Sequence, residues 1–397
     1  MNKNKSLFLY IIPAAVAVII LICFAVSGHI TKNADKENPT AQTSVSVVNE
    51  DTTAKPDKST NSKVTITAVG DNLIHNTLIA AGEQEDGTLD YTSLYANIKP
   101  EIEKADIAVI NQETILGGSS FEYTGYPSFN SPWEIGDAAI DAGFDIFTCA
   151  TNHSLDMGWA GIEKEAEYFS QHKNVVQLGL NTSEERNITY YEKNSITFAL
   201  LNYTYGTNGI PLPSDKPWCV NLFDKDTVTK DIKQARENSD VVIVFAHWGT
   251  ENSSEISDYQ KEYTKLFSNL GVDIVIGTHP HTLQPVKWVT NKETGKKMLV
   301  YYSLGNFISH QIQPFQLVGG MAEITVEKKN DEIDISTARL VPIVCHYKKG
   351  ESGKFEFNVY KLKDYTDEIA STHSQSGASR EYFEEYVNDV VSEEFLK

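Results

Sequence analysis

The chain has 397 residues and a formal net charge of −20, from 34 Lys and Arg against 54 Asp and Glu. This acidic balance argues against binding to nucleic acids or to anionic membrane surfaces. The four cysteines have neither the spacing of a disulfide framework nor that of a Cys-x-x-Cys metal motif, so a packed core must stabilise the fold.

An uncharged and largely apolar segment, residues 6–27, stands near the start of the chain. Its length matches the ~20 residues that a helix needs to cross a bilayer. Because Lys3 and Lys5 precede it, the positive-inside rule predicts a cytoplasmic N-terminus, a transmembrane helix within residues 1–27 and a main domain outside the cell.

The last residues of this segment leave two alternatives to a retained anchor. Residues 25–27 have the small side chains of a signal-peptide cleavage site, but the apolar run is longer than the roughly 7–15 residues typical of signal peptides. Cys23 raises the alternative of a lipoprotein, which the bulky Ile22 before it disfavours. We expect a single-pass anchor in the cell membrane.

Residues 28–62 are rich in Thr, Ser, Asn, Asp and Lys and have few apolar side chains to bury. Ordering such a segment costs more free energy, through lost conformational entropy, than its few contacts would provide, so we predict a disordered linker. We divide the rest into a main domain at residues 63–347 and a C-terminal extension with a terminal helix at residues 348–397.

Short β-branched runs alternate with amphipathic segments in the main domain, which is typical of strands joined by crossover helices. Strands are predicted at residues 64–69, 106–110, 144–149, 175–178, 196–201, 241–246, 273–276, 298–302, 318–327 and 333–345. Helices are predicted at residues 94–105, 134–142, 158–172, 225–236, 256–270 and 381–396. The predicted fold class is α/β, a layered β-sheet core flanked by helices.

Five of the predicted strands end in residues that can hold a metal ion or position a substrate, and open α/β sheets bind ligands beyond the carboxyl ends of their strands. The segments are Gly70-Asp71, Asn111-Gln112-Glu113, Asn152-His153, His247-Trp248-Gly249 and His279-Pro280-His281. Taken singly, an Asp after a glycine is more often a turn residue, and a lone histidine is more often structural. Together they supply the carboxylates, amide and imidazoles of a binuclear site for Mn, Zn or Fe.

The segment His279-Pro280-His281 is the strongest of these signals. A residue before proline is restricted to the extended region, and positions i and i+2 of an extended chain point to the same side. Both imidazoles are therefore predicted to face one site.

These segments resemble the signature blocks of the CapA family of poly-γ-glutamate capsule proteins. In the family's order, the blocks are Gly70-Asp71, Asn111-x-Glu113, Asn152-His153-x-x-Asp156-x-Gly158, His247-Trp248-Gly249, Gly277-x-His279-Pro280-His281 and Ser303-Leu304-Gly305-Asn306-Phe307. The resemblance implies the fold of calcineurin-like metallophosphoesterases, with two divalent transition metal ions at the strand ends.

The resemblance also assigns metal ligands to positions of this chain. They are Asp71, Asn152, His247, His279 and His281, with Glu113 in the bridging position. The chain departs from the phosphoesterase pattern in having Leu73 where that pattern has the His of Asp-x-His, and Glu113 where it has Asp. His75 could supply the missing imidazole, although it lies four residues after Asp71.

In the same resemblance His153 takes the place of the general acid that protonates the leaving group, and Asp156 could orient it. Asp156 could equally be the N-cap of the helix predicted at residues 158–172. Trp248, Gly305 and Asn306 would shape a substrate groove. Alternatively, residues 303–307 simply form a turn that closes a strand.

Two functions remain open from the sequence. The first is a metal-dependent hydrolase of poly-γ-glutamate, of another envelope polymer or of a phosphoester. The second is a non-catalytic component that binds the emerging polymer in a membrane complex with synthase or export subunits. The sequence has neither a Gly-x-Ser-x-Gly nor a Gly-x-x-x-x-Gly-Lys-Ser/Thr motif, so nothing favours a serine hydrolase or an ATP-dependent ligase.

Overall fold

The computed structural model describes residues 47–49 and 61–397. The predicted transmembrane helix at residues 1–27 lies outside this part of the chain, as does most of the predicted linker. Between residues 61 and 397, every helix is too short or too polar to cross a membrane.

Two β-sheets form the framework of the described chain. Their strands, in chain order, are β1 (Val47–Asn49), β2 (Asn61–Asn72), β3 (Ile107–Gln112), β4 (Ile146–Thr148), β5 (Val176–Leu178), β6 (Thr189–Lys193), β7 (Ile196–Thr204), β8 (Val241–His247), β9 (Ile274–Thr278), β10 (Val286–Thr290), β11 (Lys297–Tyr301), β12 (Asn306–Ile308), β13 (Val318–Lys329), β14 (Glu332–Lys349) and β15 (Phe355–Lys361). One sheet has the order β1-β6-β7-β8-β9-β11-β10, in which β7, β8, β9 and β11 run parallel. The other has the order β15-β14-β13-β2-β3-β4-β5, with β2 to β5 parallel and β12 paired to the end of β2.

Helices lie between the strands in the chain, and sequence signals set their ends. They are α1 (Asn76–Gly82), α2 (Thr92–Tyr95), α3 (Lys99–Ile102), α4 (Trp133–Asp141), α5 (Gly158–Ser170), α6 (Lys225–Asn238), α7 (Asp258–Leu270), α8 (Asp367–Ser371) and α9 (Arg380–Val390). Ser257 and Gln260 form a capping box at the start of α7, and Gly271 ends this helix in the left-handed conformation. Asp224 caps α6 by accepting a hydrogen bond from the Thr227 amide.

The two sheets pack face to face, and β8 illustrates the layers. All residues of β8 are buried, as predicted from its nearly continuous apolar sequence. Ile243 and Phe245 belong to the core that both sheets share, whereas Val242 and Val244 pack with residues of α6 and α7. The fold is therefore a layered α/β fold, as the alternation of strands and helices predicted.

Three differences from the sequence prediction concern how the chain is divided into segments. The predicted helix at residues 94–105 is divided into α2 and α3, because Pro100 has no amide hydrogen to donate within a continuous helix. The predicted extension at residues 348–397 is part of the main fold, since β14 crosses its boundary, β15 continues the sheet and α9 contributes to the core. Within the predicted linker, β1 pairs with β6.

Candidate metal centre

Two overlapping groups of buried side chains lie at the carboxyl ends of parallel strands. Asp71, Glu113 and His281 form one group, and Glu113, His247 and His279 form the other. Within each group the potential ligand atoms lie within 4.8 Å of one another. We call these five residues the metal-ligand cluster. Glu113 belongs to both groups, so it is placed to bridge two ions.

The end of β2 is held by a close backbone contact with the segment before β12. The Asp71 amide donates a hydrogen bond to the Gly305 carbonyl oxygen at 2.9 Å. A Cβ at position 70 would lie 1.8 Å from that oxygen, so only glycine fits there. The Asp71 carboxylate accepts a hydrogen bond from Asn111 Nδ2 at 2.9 Å and lies 3.1 Å from His281 Nδ1. The Gly70-Asp71 motif therefore fixes one carboxylate of the cluster.

Glu113 is a buried carboxylate at the centre of the cluster. Neither of its oxygens has a hydrogen-bond partner among the described residues. Its Oε1 lies 3.7 Å from His247 Nε2 and 3.6 Å from His281 Nε2, which is beyond hydrogen-bonding distance. Burial raises the pKa of Glu113 well above its usual range; His281 opposes this shift and Asp71 adds to it.

The segment His279-Pro280-His281 brings both imidazoles to the cluster, but its backbone is not the predicted extended one. The φ angles of His279 and His281 are +96° and +57°, a region that residues with a Cβ rarely adopt. Tertiary hydrogen bonds hold this bent conformation. The His279 amide donates to the Asp71 carboxylate at 3.3 Å, and the Pro280 carbonyl accepts from the Asn252 amide at 2.8 Å. Such backbone strain is characteristic of functional sites.

The histidines of the cluster differ in their protonation. Burial, and then the neighbouring imidazoles, lower the pKa of His247 and of His279, which keeps both rings in the neutral form that binds metals. Burial also lowers the pKa of His281, but the carboxylates of Glu113 and Asp71 outweigh it and raise this pKa to about 10. A divalent ion bound by these carboxylates would supply the positive charge that the His281 proton provides.

Asn152 lies beside the cluster and offers it an amide oxygen. Its Oδ1 lies 2.8 Å from His247 Nε2, while His247 Nδ1 lies 3.0 Å from Thr278 Oγ1. Hydrogen bonding of the second ring nitrogen fixes the orientation of a metal-binding imidazole. Asn152 is thus placed as a fourth donor to the group of Glu113, His247 and His279.

His153 and Asp156 form a buried pair next to Asn152. The His153 Nδ1 lies 2.7 Å from Asp156 Oδ2, which also accepts a hydrogen bond from the Phe129 amide at 2.7 Å. No hydrogen bond to His153 Nε2 comes from the described residues. The N-cap of α5 is Met157, so the capping alternative for Asp156 does not hold.

The three predicted substrate-contacting residues lie below the surface. Trp248 is fully buried in the core beside α7, and its indole donates to the Tyr302 carbonyl at 2.9 Å. Asn306 is also fully buried, and its Oδ1 lies 3.1 Å from His281 Nδ1. Gly305 contacts the backbone of Asp71 through its carbonyl oxygen. Trp248 thus packs in the core, while Asn306 and Gly305 contact candidate ligands of the cluster; their role in a substrate groove stays a prediction.

His75 does not replace the missing imidazole of the first motif. Its Nδ1 lies 3.2 Å from the Leu73 carbonyl oxygen and 3.2 Å from the His310 amide, and its ring packs edge-on against Phe129. Burial lowers its pKa to about 4. His75 belongs to neither group of the cluster.

Three residues near the cluster were not predicted. Asn208 accepts a hydrogen bond from Asn152 Nδ2 at 3.2 Å, and its own Nδ2 lies 3.5 Å from His153 Nδ1. The Tyr205 ring lies 4.5 Å from the His279 ring. Glu251 belongs to a third potential ligand group. None of the three has a clear sequence signal: Glu251 follows His247 by four residues, but that spacing brings side chains together only in a helix, and this segment is a loop.

The fold and this cluster define a layered α/β protein with a candidate metal centre between two sheets. The chain belongs to the family of the bacterial capsule synthesis protein PGA_cap, whose model matches residues 65–311. The matched range contains the whole metal-ligand cluster and the His153–Asp156 pair. The resemblance to the CapA family is thereby confirmed.

Two named relatives match part of the chain. The chain is 30% identical over 174 residues to the PGA biosynthesis protein CapA of Bacillus subtilis (strain 168), which covers 43% of this chain and 44% of that protein. It is 31% identical over 180 residues to the capsule biosynthesis protein CapA of Bacillus anthracis, which covers 44% of this chain and 42% of that protein. The matches thus span less than half the length of either relative.

Two solved structures give more distant matches. The protein TT1561 of Thermus thermophilus has a TM-score of 0.37 and 9% identity, covering 69% of this chain and 98% of that protein. The sulfate thiohydrolase SoxB of Thermus thermophilus has a TM-score of 0.35 and 12% identity, covering 75% of this chain and 45% of that protein.

Proposed function

We propose that this protein is a membrane-anchored, extracytoplasmic hydrolase with a binuclear metal centre, and that it acts on poly-γ-glutamate or another polymer of the capsule or cell envelope. Membership of the capsule synthesis family supports the choice of polymer. The main observation in favour of a metal centre is the buried Glu113 carboxylate. It lies among three imidazoles, and neither of its oxygens has a hydrogen-bond partner among the described residues.

The residues of the cluster fit divalent transition metals. A buried carboxylate without hydrogen bonds is costly unless a cation balances it. The Nδ1 of His279 is likewise buried without a partner among the described residues. Mixed carboxylate, amide and imidazole donors suit Mn, Zn or Fe. When bound, such ions would lower the pKa of a water molecule and stabilise developing negative charge.

The His153–Asp156 pair supplies the proton to the leaving group. Asp156 holds the Nδ1 side of the imidazole, so a proton on Nε2 is available when the ring is charged. Asn208 accepts a hydrogen bond from Asn152 Nδ2, and its own Nδ2 lies 3.5 Å from His153 Nδ1, so Asn208 packs between the acid and the ligand groups.

Exposed apolar side chains on loops near the cluster suit a polymer substrate. The large apolar residues exposed in the described chain include Tyr205, which packs on His279, and Ile312. Ile312 follows Gln311, whose side chain accepts a hydrogen bond from Asn306 at 2.7 Å. The methylene groups of poly-γ-glutamate can pack on these side chains, while its carboxylates are attracted by the field of the metal ions.

Turnover is tested with the purified full-length chain, incubated with poly-γ-glutamate, peptidoglycan fragments and a generic phosphodiester, with and without Mn²⁺ or Zn²⁺. We expect metal-dependent cleavage of at least one substrate. The H153A variant should keep its metal and cleave ~10²- to 10⁴-fold more slowly than wild type. The control H172A, which replaces a partly exposed histidine, should cleave at the wild-type rate.

The outcomes of this assay separate the two functions. If none of the substrates is cleaved and poly-γ-glutamate still binds in a metal-dependent way, the hydrolase proposal is wrong and the role of a polymer-binding component in synthesis or export is favoured. If H153A cleaves at the wild-type rate, His153 is not the acid.

A further inference from the structure

A third group of potential ligands lies at the edge of the metal-ligand cluster. It consists of Glu251, His279 and His281, whose ligand atoms lie within 4.8 Å of one another. The two histidines are buried and Glu251 is exposed. The side chain of Glu251 therefore reaches the cluster from the solvent side.

The loop that carries Glu251 is tied to the segment that carries both histidines. The Asn252 amide donates to the Pro280 carbonyl at 2.8 Å. The Gln284 side chain donates to the carbonyls of Ser253 and Glu255 at 2.9 and 3.0 Å. These bonds hold the backbone next to position 251 against the segment of the two histidines, which keeps the Glu251 side chain within reach of His279 and His281.

The two ligand groups of the cluster differ in their number of donors. The group of Glu113, His247 and His279 has Asn152 beside it as a fourth protein donor. The group of Asp71, Glu113 and His281 has three side chains. Divalent transition metals in proteins commonly take about four ligands or more, so one position of the second group lacks a protein donor.

We infer that Glu251 is a metal ligand that completes the ion site of Asp71, Glu113 and His281. This inference rests on the binuclear centre of the proposed function. An exposed carboxylate can exchange with water or substrate more readily than the buried ligands, so this ion would keep a position that opens to the substrate. With three carboxylates against two divalent ions, the centre would retain a net positive charge for an anionic polymer.

The test compares metal binding by full-length wild type, E251Q and E255Q. Glu255 is a matched control because it is exposed on the same loop and lies outside the three ligand groups. Metal content after dialysis against Mn²⁺ is measured by elemental analysis, and the affinity of each ion by calorimetric titration. We expect two ions in wild type and E255Q, and at least tenfold weaker binding of one ion in E251Q.

A second readout reports the ligands directly. With Co²⁺ in place of Mn²⁺, the visible absorption of the bound ions should change in E251Q and stay unchanged in E255Q, because the ligand set of one ion differs. If E251Q matches wild type in ion number, affinity and Co²⁺ absorption, the inference is wrong and the binuclear centre stands. If wild type binds no metal, the proposed function itself fails.

Discussion

Glu113 shows at the scale of a single residue why the cluster fits a cation. A buried polar group without a hydrogen-bond partner costs about 1–3 kcal/mol, and more when it is charged, yet the fold keeps both Glu113 oxygens unpartnered by the described residues. Glu165 provides a contrast, because this buried carboxylate accepts hydrogen bonds from the Leu116 amide at 2.9 Å and from Gln177 Nε2 at 3.2 Å. Glu113 is therefore placed to bind a cation, whereas Glu165 stabilises the fold.

This contrast predicts opposite effects of the same substitution. In the metal-free protein, E113Q should leave the melting temperature unchanged or raise it by a few degrees, because an amide that cannot ionise replaces a buried carboxyl group whose oxygens have no hydrogen-bond partner among the described residues. It should also abolish the binding of at least one metal ion. E165Q should lower the melting temperature, since an amide nitrogen replaces one accepting oxygen, and should bind metal as wild type does.

Calorimetry in EDTA and elemental analysis after reconstitution measure both effects. A large loss of metal-free stability in E113Q would mean that Glu113 serves the fold rather than a metal.

At the scale of elements, the contact between the end of β2 and the segment before β12 holds the cluster together. G70A should lower the melting temperature by several degrees and weaken metal binding, because a methyl group cannot fit 1.8 Å from the Gly305 carbonyl oxygen and the strand end must shift. G206A is the matched control, since a Cβ at position 206 has no atom within 4 Å. Thermal unfolding and metal content of both variants check this, and a G70A variant with unchanged metal content would contradict it.

The sequence predicted where the strands before the cluster end, because β-branched runs and the polar residues after them are local signals. The path of the chain between those polar residues could not be predicted. The positive φ of His279 and His281 depends on hydrogen bonds to Asp71 and Asn252, which are distant in sequence. Trp248 likewise follows the candidate ligand His247 directly, yet its packing against Tyr302 and α7 decides that it is buried.

At the scale of the whole molecule, the position of the domain relative to the membrane remains a prediction from residues 1–27, which lie outside the described part of the chain. Protease added to intact cells should remove the domain and leave a small N-terminal fragment in the membrane, because the predicted anchor has a cytoplasmic N-terminus. Immunoblotting of an N-terminal tag checks this. Recovery of the domain in the medium, with a new N-terminus near residue 28, would instead favour a cleaved signal peptide.

Stability of the whole fold should also depend on pH through histidines far from the metal-ligand cluster. His346 and His373 are packed with their ring centroids 4.8 Å apart, and His346 Nδ1 lies 2.8 Å from the Tyr365 hydroxyl. Burial lowers the pKa of each to about 4, and the charge of His373 contributes to the shift of His346. In the unfolded chain both should titrate near ~6.5.

Between about pH 6.5 and 4 the unfolded chain therefore binds protons that the folded protein does not, so the free energy of unfolding falls as the pH falls through this window. H346Q removes one of these groups, and its melting temperature should fall by a few degrees less than that of wild type between pH 7 and 5. The melting temperature of H172Q, which replaces a partly exposed histidine, should fall as much as that of wild type. Calorimetry in EDTA keeps metal loss out of the comparison, and equal falls in H346Q and wild type would show that His346 does not set the acid sensitivity.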